Sequence, residues 1–434
     1  MERFIMDDLV RWKNRNDRKP LILLGARQVG KTYILKEFGR REYDNVAYIN
    51  CDNNALVRDL FTPDYNIGRI LLTIGAITGV NIQPGKTLII MDEVQELKRG
   101  LASLKYFCED APQYHVAVAG SLLGLTLHDG DSYPVGKVNT LNMYPMTFEE
   151  FLLARNRKQM VDLLQAQRWD FVKGLRTLYI QHLREYYLVG GMPGAVDKFV
   201  QTNDANLVRE VQNEILAAYE KDISKHAPAE QVMRIGQVWH SIPSQLAKEN
   251  RKFIYGVVKK GARAKDYELA IQWLLDAGLV YKVNRVTTLA MPLKIHEEIS
   301  AFKLFMLDCG LLGAMSLTPP AMLLLPSTDN SGKGDFTENF VCSQMKSLSD
   351  LPVFYYSKDN SQLELDFVVQ ADTAVCPVEV KAEENLQSKS LKTTLSENPD
   401  MHGLRFSMSD YREEGRLTNV PLYGARSFLK ALKQ

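Results

Sequence analysis

The 434-residue chain predicts an α/β fold: a parallel sheet wound with helices, a helical middle, and a second α/β body at the C-terminus. Three observations predict it. Apolar runs of strand length recur in the first third, at 21–24, in NVAYINCDN (45–53), in KTLIIMDEVQ (86–95) and in HVAVAGSLLG, with helix-forming stretches between them. That pattern belongs to parallel strands covered on both faces. From about residue 146 the periodicity turns helical. After residue 350, short alternating runs return, first PVFYYSK and then QLELDFVVQADTAVCPVEVKAEE (362–384), which reads as two strands around a turn.

Composition narrows the class. Apolar residues make up 45% and charged residues 24%, with a net charge of +1, so no whole-molecule field selects a partner. Any affinity for nucleic acid must come from a local patch. The five cysteines, Cys51, Cys108, Cys309, Cys342 and Cys376, lie far apart, with no paired spacing and no His/Cys cluster. That argues for reduced thiols and against a disulfide framework or a zinc site. The N-terminal stretch lacks the apolar core of a signal peptide, and the longest apolar run, ILLTIGAITGVNI, is too short to span a bilayer. A cytoplasmic protein without membrane contact is expected.

LILLGARQVGKTYIL places a strand, a glycine loop and a helix in succession, with Gly25, Gly30, Lys31 and Thr32 at P-loop spacing. Backbone N–H groups from Gly25 through Ala26, Arg27, Gln28, Val29, Gly30 and on to Tyr33 would surround phosphates. Lys31 would reach the terminal phosphates, and the Thr32 hydroxyl would ligate magnesium. An apolar strand ending in Asp92-Glu93 supplies the second half of such a site. Asp92 would hold the magnesium water shell, and Glu93 would polarise the water that attacks the γ-phosphate. Ser121, after the next strand, is a candidate γ-phosphate sensor. ATP and Mg²⁺ are therefore the expected cofactors, and hydrolysis outranks phosphate transfer to a small molecule, for which no acceptor pocket or basic lid is legible. Arg99, Arg155 and Arg157 are candidate arginine fingers, each with an ordinary surface role as the simpler reading.

In the middle, Thr147 and Glu150 form a capping box ahead of a helix, and the glycines around Pro193 mark a turn between helices. AEQVMRIGQVWHSI reads as one helix, SQLAKEN as a second capped by Ser244, and KDYELAIQWLLDAG as a third that runs into a strand. Three helices and a strand suggest a winged helix. Across 246–265 lie Lys248, Arg251, Lys252, Lys259, Lys260, Arg263 and Lys265, with Phe253 and Tyr255 between them and Glu249 as the one acid. This is a local basic footprint suited to DNA phosphates. A solvated or protein-facing surface is the competing reading.

After a polar linker, the C-terminal hairpin sets Asp366, Glu379 and Lys381 side by side. Burying these charges without partners costs several kcal/mol. Asp366 and Glu379 offer hard oxygen ligands, Lys381 would orient or deprotonate a water, and Glu338 on the preceding helix would complete a magnesium shell. This is the D…ExK arrangement of a metal-dependent phosphodiesterase. The simpler reading is a pair of edge strands with solvated charges and an ordinary ion pair.

LLGARQVGKT, IIMDEVQ, AGSLLG, MYPMTFEEFL, YLVGGMPGAV, FMLDCGLLGAM, TENFV, LELDFVV and VEVKA together resemble a bacterial and archaeal AAA-type ATPase family whose C-terminal domain is related to PD-(D/E)XK nucleases. The resemblance covers nearly the whole chain. It implies ATP and magnesium roles for Lys31, Thr32, Asp92 and Glu93, and puts Glu338, Asp366, Glu379 and Lys381 on the nuclease-like motif. PVGKV carries Lys137 where relatives have arginine, which weakens a finger role there. The expected organisation is a P-loop AAA-type domain (1–145), a helical lid or linker (146–225), a winged-helix-like domain (226–325) and a nuclease-like domain (326–434). The expected activity is an ATPase that couples nucleotide state to DNA binding or cleavage and is compatible with an oligomer. The alternative is a regulatory NTP switch acting on protein partners through an inactive nuclease-like docking domain.

Overall fold

The computed structural model describes residues 1–52, 54–120, 123–126, 134–248, 251–324, 333–359, 362–384 and 386–433. The chain divides into two compact units, Glu2–Tyr144 with Asp276–Gly278, and Pro145–Leu275 with Leu279–Gln434.

The first unit is built on five strands, β1 (Leu21–Leu24), β2 (Asn45–Asn50), β3 (Thr87–Asp92), β4 (His115–Ala119) and β5 (Asn139–Asn142), in the order β2-β3-β4-β1-β5. Every pairing is parallel. β3 and β4 are buried along their whole length, which is why they read as continuous apolar runs. The helix Lys31–Glu42 packs on β2, β3 and β4, and the helix Ile67–Thr78 on β2. Ile22, Ile49, Met91, Val118, Ile70 and Phe107 share the core. Each such burial stabilises by about 1.5–3 kcal/mol. The register sets Asp92 and Leu23 both level with Ala119 of β4, so the loop after β1 and the acid ending β3 leave the same edge of the sheet.

The second unit joins a set of helices to an eight-stranded mixed sheet. Its strands are β6 (Val280–Val286), β7 (Glu297–Met306), β8 (Val353–Ser357), β9 (Glu364–Ala371), β10 (Ala374–Val380), β11 (Gly403–Ser407), β12 (Arg412–Glu414) and β13 (Leu417–Pro421). They run in the order β12-β13-β11-β10-β9-β8-β6-β7. The expected capping box is present: Glu150 N–H donates to Thr147 Oγ1 at 3.2 Å, and Thr147 N–H to Glu150 Oε2 at 2.8 Å. The glycine turn also has a packing reason. A Cβ on Gly191 would lie 2.0 Å from the Met146 carbonyl oxygen, and Gly191 N–H donates to the buried Asp308 carboxylate at 2.5 Å.

Two expectations about 226–325 change. SQLAKEN does not begin a separate helix capped by Ser244; the helix Val232–Leu246, with Pro243 inside, runs into it and ends at Leu246. Pro243 removes one helical hydrogen bond. Buried Ile242 and Leu246 hold the turn in place, and the Gln245 side chain exchanges hydrogen bonds with the Ile254 backbone at 2.9 and 3.0 Å. The strand after the helix Ala264–Asp276 is β6, and β6 pairs with β8 in parallel. Residues 226–325 and 326–434 therefore share one sheet. The stretch after Arg251 runs along β7: Lys252 bridges Lys303, and Phe253 N–H donates to the Phe302 carbonyl at 2.8 Å. No helix among the described residues is long and apolar enough to cross a membrane.

Candidate functional site

The 25–33 loop takes its shape from two backbone demands. Gly25 has φ +146° and Gly30 φ +98°, and a Cβ on Gly25 would lie 2.2 Å from the Met143 carbonyl oxygen. The helix Lys31–Glu42 begins at Gly30 without a side-chain cap, so its first N–H groups are available to an anion. Ala26, Val29 and Lys31 are buried, while Arg27, Gln28 and Tyr33 are exposed. The buried Arg3 guanidinium donates to the Val29 carbonyl at 2.9 Å and the Tyr144 carbonyl at 2.6 Å, tying the loop to the strand end behind it. No local signal marks this role for Arg3, because its partners lie 26 and 141 residues away.

Lys31 Nζ donates to the Gly25 and Ala26 carbonyls at 2.7 and 2.9 Å. Burial pulls Lys31 down to about 8, against Glu93 and Asp92, which hold it up, while Arg27 adds to the fall. Thr32 Oγ1 donates to Asp92 Oδ2 at 2.6 Å, and Tyr48 OH to the same oxygen at 3.2 Å. A hydroxyl and a carboxylate brought together beside a phosphate cradle fit a magnesium ion, which Thr32 and Asp92 would hold. Glu93 follows β3 at φ +53°, and Gln95 Nε2 donates to its Oε2 at 2.6 Å. Gln95 was not anticipated as a partner of Glu93. It packs against Gly120, where a Cβ would lie 2.0 Å from its Oε1. Ser121 lies outside the described residues.

Arg99 and Arg155 are otherwise engaged, while Arg157 is exposed. Arg99 bonds Tyr65 OH and the Thr62 carbonyl, each at 3.0 Å. Arg155 lies over the Phe199 ring and 3.7 Å from Glu185, and Lys137 pairs with Glu109 at 2.8 Å.

In the second unit the hairpin residues converge. β9 and β10 are joined by the two residues Asp372 and Thr373, so their register puts Glu379 opposite Asp366 on one face. Val380 N–H donates to Asp366 Oδ2 at 2.7 Å, and Lys381 pairs with Glu379 at 2.5 Å. Glu338, from the helix Lys333–Lys346, stands within hydrogen-bonding reach of Asp366. Burial, and after it the Asp366 carboxylate, pushes both Glu338 and Glu379 above the usual carboxylate range.

Two further cations enter this cluster that were not expected there. Lys303 of β7 has no exposed side-chain surface and pairs with Glu364 at 3.0 Å and Glu338 at 3.9 Å. Arg251 reaches Glu338 at 2.7 Å and Asp335 at 3.2 Å, which takes it out of the basic surface to which it was assigned. Phe253 and Tyr255 also leave that surface: Phe253 stacks on Phe302, with ring centroids 5.2 Å apart, and Tyr255 meets it edge-on. Lys248, Lys259, Lys260, Arg263 and Lys265 remain exposed. Among the described residues, no three His, Cys, Asp or Glu side chains are set as ligands around one point.

A parallel sheet that presents a glycine loop and the Asp92-Glu93 pair at one edge has the architecture of a P-loop nucleotide-binding unit. In keeping with this, residues 17–152 match the model of the AAA domain. Residues 180–321 match a domain of unknown function (DUF8612), and residues 333–423 match another (DUF4143). No curated protein matches the chain. Among solved structures, a Walker-type ATPase of Pyrococcus abyssi is 16% identical, with 73% of this chain and 95% of that chain covered and a TM-score of 0.45. The ORC2 protein of Aeropyrum pernix, in its ADPNP-ADP complexes, is 15% identical, with 74% and 92% covered and a TM-score of 0.41.

Proposed function

We propose that this protein hydrolyses ATP with the 25–33 loop, Asp92 and Glu93, and that its nucleotide state governs engagement of DNA by the exposed cations of residues 246–265. The observation that carries the ATPase assignment is the Thr32–Asp92 hydrogen bond of 2.6 Å, which joins the two halves of the site across the sheet edge, with Glu93 next in the chain. Loop N–H groups and the open helix N-terminus receive the phosphates. Lys31 exchanges its two loop carbonyls for phosphate oxygens. Thr32 and Asp92 would hold magnesium, which would supply positive charge to offset that on the phosphate oxygens. Glu93, oriented by Gln95, takes a proton from the water that attacks the γ-phosphorus, and the bond to the ADP oxygen breaks. ATP binding and turnover of the purified protein, with and without magnesium, test this reading; a protein that binds no ATP refutes it.

The exposure of Lys248, Lys259, Lys260, Arg263 and Lys265 supports a polyanionic partner. Phe253 and Tyr255 pack around Phe302 and are partly buried, which favours contacts to phosphates, independent of sequence, over stacking on bases. Cleavage is not part of this proposal, because Lys381 and Arg251 are already committed to Glu379 and Glu338. Affinity for a generic duplex should fall with salt, and reversing Lys259, Lys260 and Arg263 to Glu should flatten the slope by roughly one unit per lost contact. If binding is insensitive to salt or absent, the patch is a solvated or protein-facing surface instead.

A further inference from the structure

We infer that Lys303 stands where a divalent cation would stand in the C-terminal carboxylate cluster, so that the cluster is closed by the chain's own cations and takes no metal. The argument starts with what each acid already has. Asp366 Oδ2 accepts the Val380 N–H at 2.7 Å, Glu379 holds Lys381 at 2.5 Å, and Glu338 Oε1 holds Arg251 at 2.7 Å. Glu338 Oε2, Glu379 Oε2 and the Lys303 ammonium make no hydrogen bond among the described residues, so Lys303 meets its acids as an ion pair, and the two oxygens are what a metal would be invoked to satisfy. The ammonium of Lys303 lies 3.9 Å from the first of them. It is fully enclosed and 3.0 Å from Glu364.

A fully enclosed lysine is costly unless carboxylates surround it. Glu364 at 3.0 Å and Glu338 at 3.9 Å supply those carboxylates to Lys303. A divalent ion placed against the same acids would face this fixed charge and the Arg251 guanidinium at short range, in a setting where like charges repel strongly. Magnesium also demands near-octahedral oxygen ligands. Here the carboxylate oxygens are divided among Lys303, Arg251, Lys381 and a backbone N–H. The same contacts have a structural result: they fasten β7 and the Arg251 stretch to the helix Lys333–Lys346 and to the β9–β10 hairpin.

The test uses full-length, nucleotide-free protein carrying Asp92→Asn, which removes the carboxylate offered to a metal at the P-loop. Bound Mn²⁺ is counted by electron paramagnetic resonance, and melting is followed with Mn²⁺, with Mg²⁺ and with chelator. The expected result is no Mn²⁺ bound at the cluster and one melting temperature in all three media. One saturable Mn²⁺ that disappears on adding Asp366→Asn overturns the inference. Lys303→Met removes the internal cation. It should lower the melting temperature by roughly 5–15 °C, the scale expected for breaking a buried pair. It should also create a Mn²⁺ site that Asp366→Asn abolishes; a folded Lys303→Met protein that gains no such site overturns the substitution of lysine for metal. If Lys303→Met does not fold, the comparison with and without Asp366→Asn in the Lys303-containing protein still decides the question. Because Asp92 is already replaced, the outcome is independent of whether the P-loop hydrolyses ATP.

Discussion

Glu93→Gln should leave ATP binding near that of the unaltered protein and reduce turnover by roughly 10²–10⁴-fold, the usual worth of a positioned general base. The amide keeps the size of the side chain and can still meet Gln95, which now lies 2.6 Å from the carboxylate. It cannot accept a proton from water at neutral pH. Binding should survive because the phosphate-facing groups, the loop N–H donors, Lys31 and Thr32, are untouched. Single-turnover hydrolysis alongside equilibrium binding of a labelled nucleotide separates the two effects. Unchanged turnover would remove Glu93 from the role of base, and a matching loss of affinity would mean that the substitution had disturbed the end of β3 instead.

Lys31→Ala should act on affinity, weakening ATP binding by roughly 10- to 150-fold, which corresponds to the 1.5–3 kcal/mol typical of hydrogen bonds to a charged group. It also frees the Gly25 and Ala26 carbonyls that Lys31 now satisfies, so part of the loss will come from a loosened loop. A pH experiment isolates the charge. Burial holds Lys31 at about 8 without nucleotide, and a phosphate beside it must raise that value. Below about 8 the ammonium is present before binding. Above it, binding takes up a proton, so affinity should decline with rising pH by up to tenfold per unit until the value in the complex is reached. Calorimetry in buffers of different ionisation enthalpy reads that proton directly. In Lys31→Ala the uptake should vanish; uptake that persists belongs to another group.

Much of the nucleotide site was legible because its parts are local. A strand, a glycine loop and a helix within a dozen residues leave one workable geometry, and an acid at the end of a continuous apolar run must emerge at the edge of a parallel sheet. The Thr147–Glu150 capping box is readable for the same reason, since both hydrogen bonds close within one turn. Ser244 misled because a polar residue after Pro243 looks like a cap; burial of Ile242 and Leu246 kept the helix going. Arg251, Phe253 and Tyr255 misled because a run of cations and rings looks alike whether its side chains face water or a neighbouring strand.

By itself, then, the sequence determined four of the five strands of the parallel unit, the glycine loop after β1 and the pair of acids at the end of β3; β5 carries no apolar run to announce it. Asp366, Glu379 and Lys381 were legible as charges on one hairpin; the two-residue turn between β9 and β10 decided the register that brings Asp366 and Glu379 to one face. Only the tertiary structure decided what neutralises those acids. Lys303 sits in an apolar strand, and its partner Glu338 is 35 residues on along the chain while Glu364 is 61 residues on. No short-range pattern reports such a pairing. A buried ammonium is tolerated only where distant carboxylates arrive at the same point, and that arrival depends on β6 joining β8 and on how the helix Lys333–Lys346 packs against the sheet.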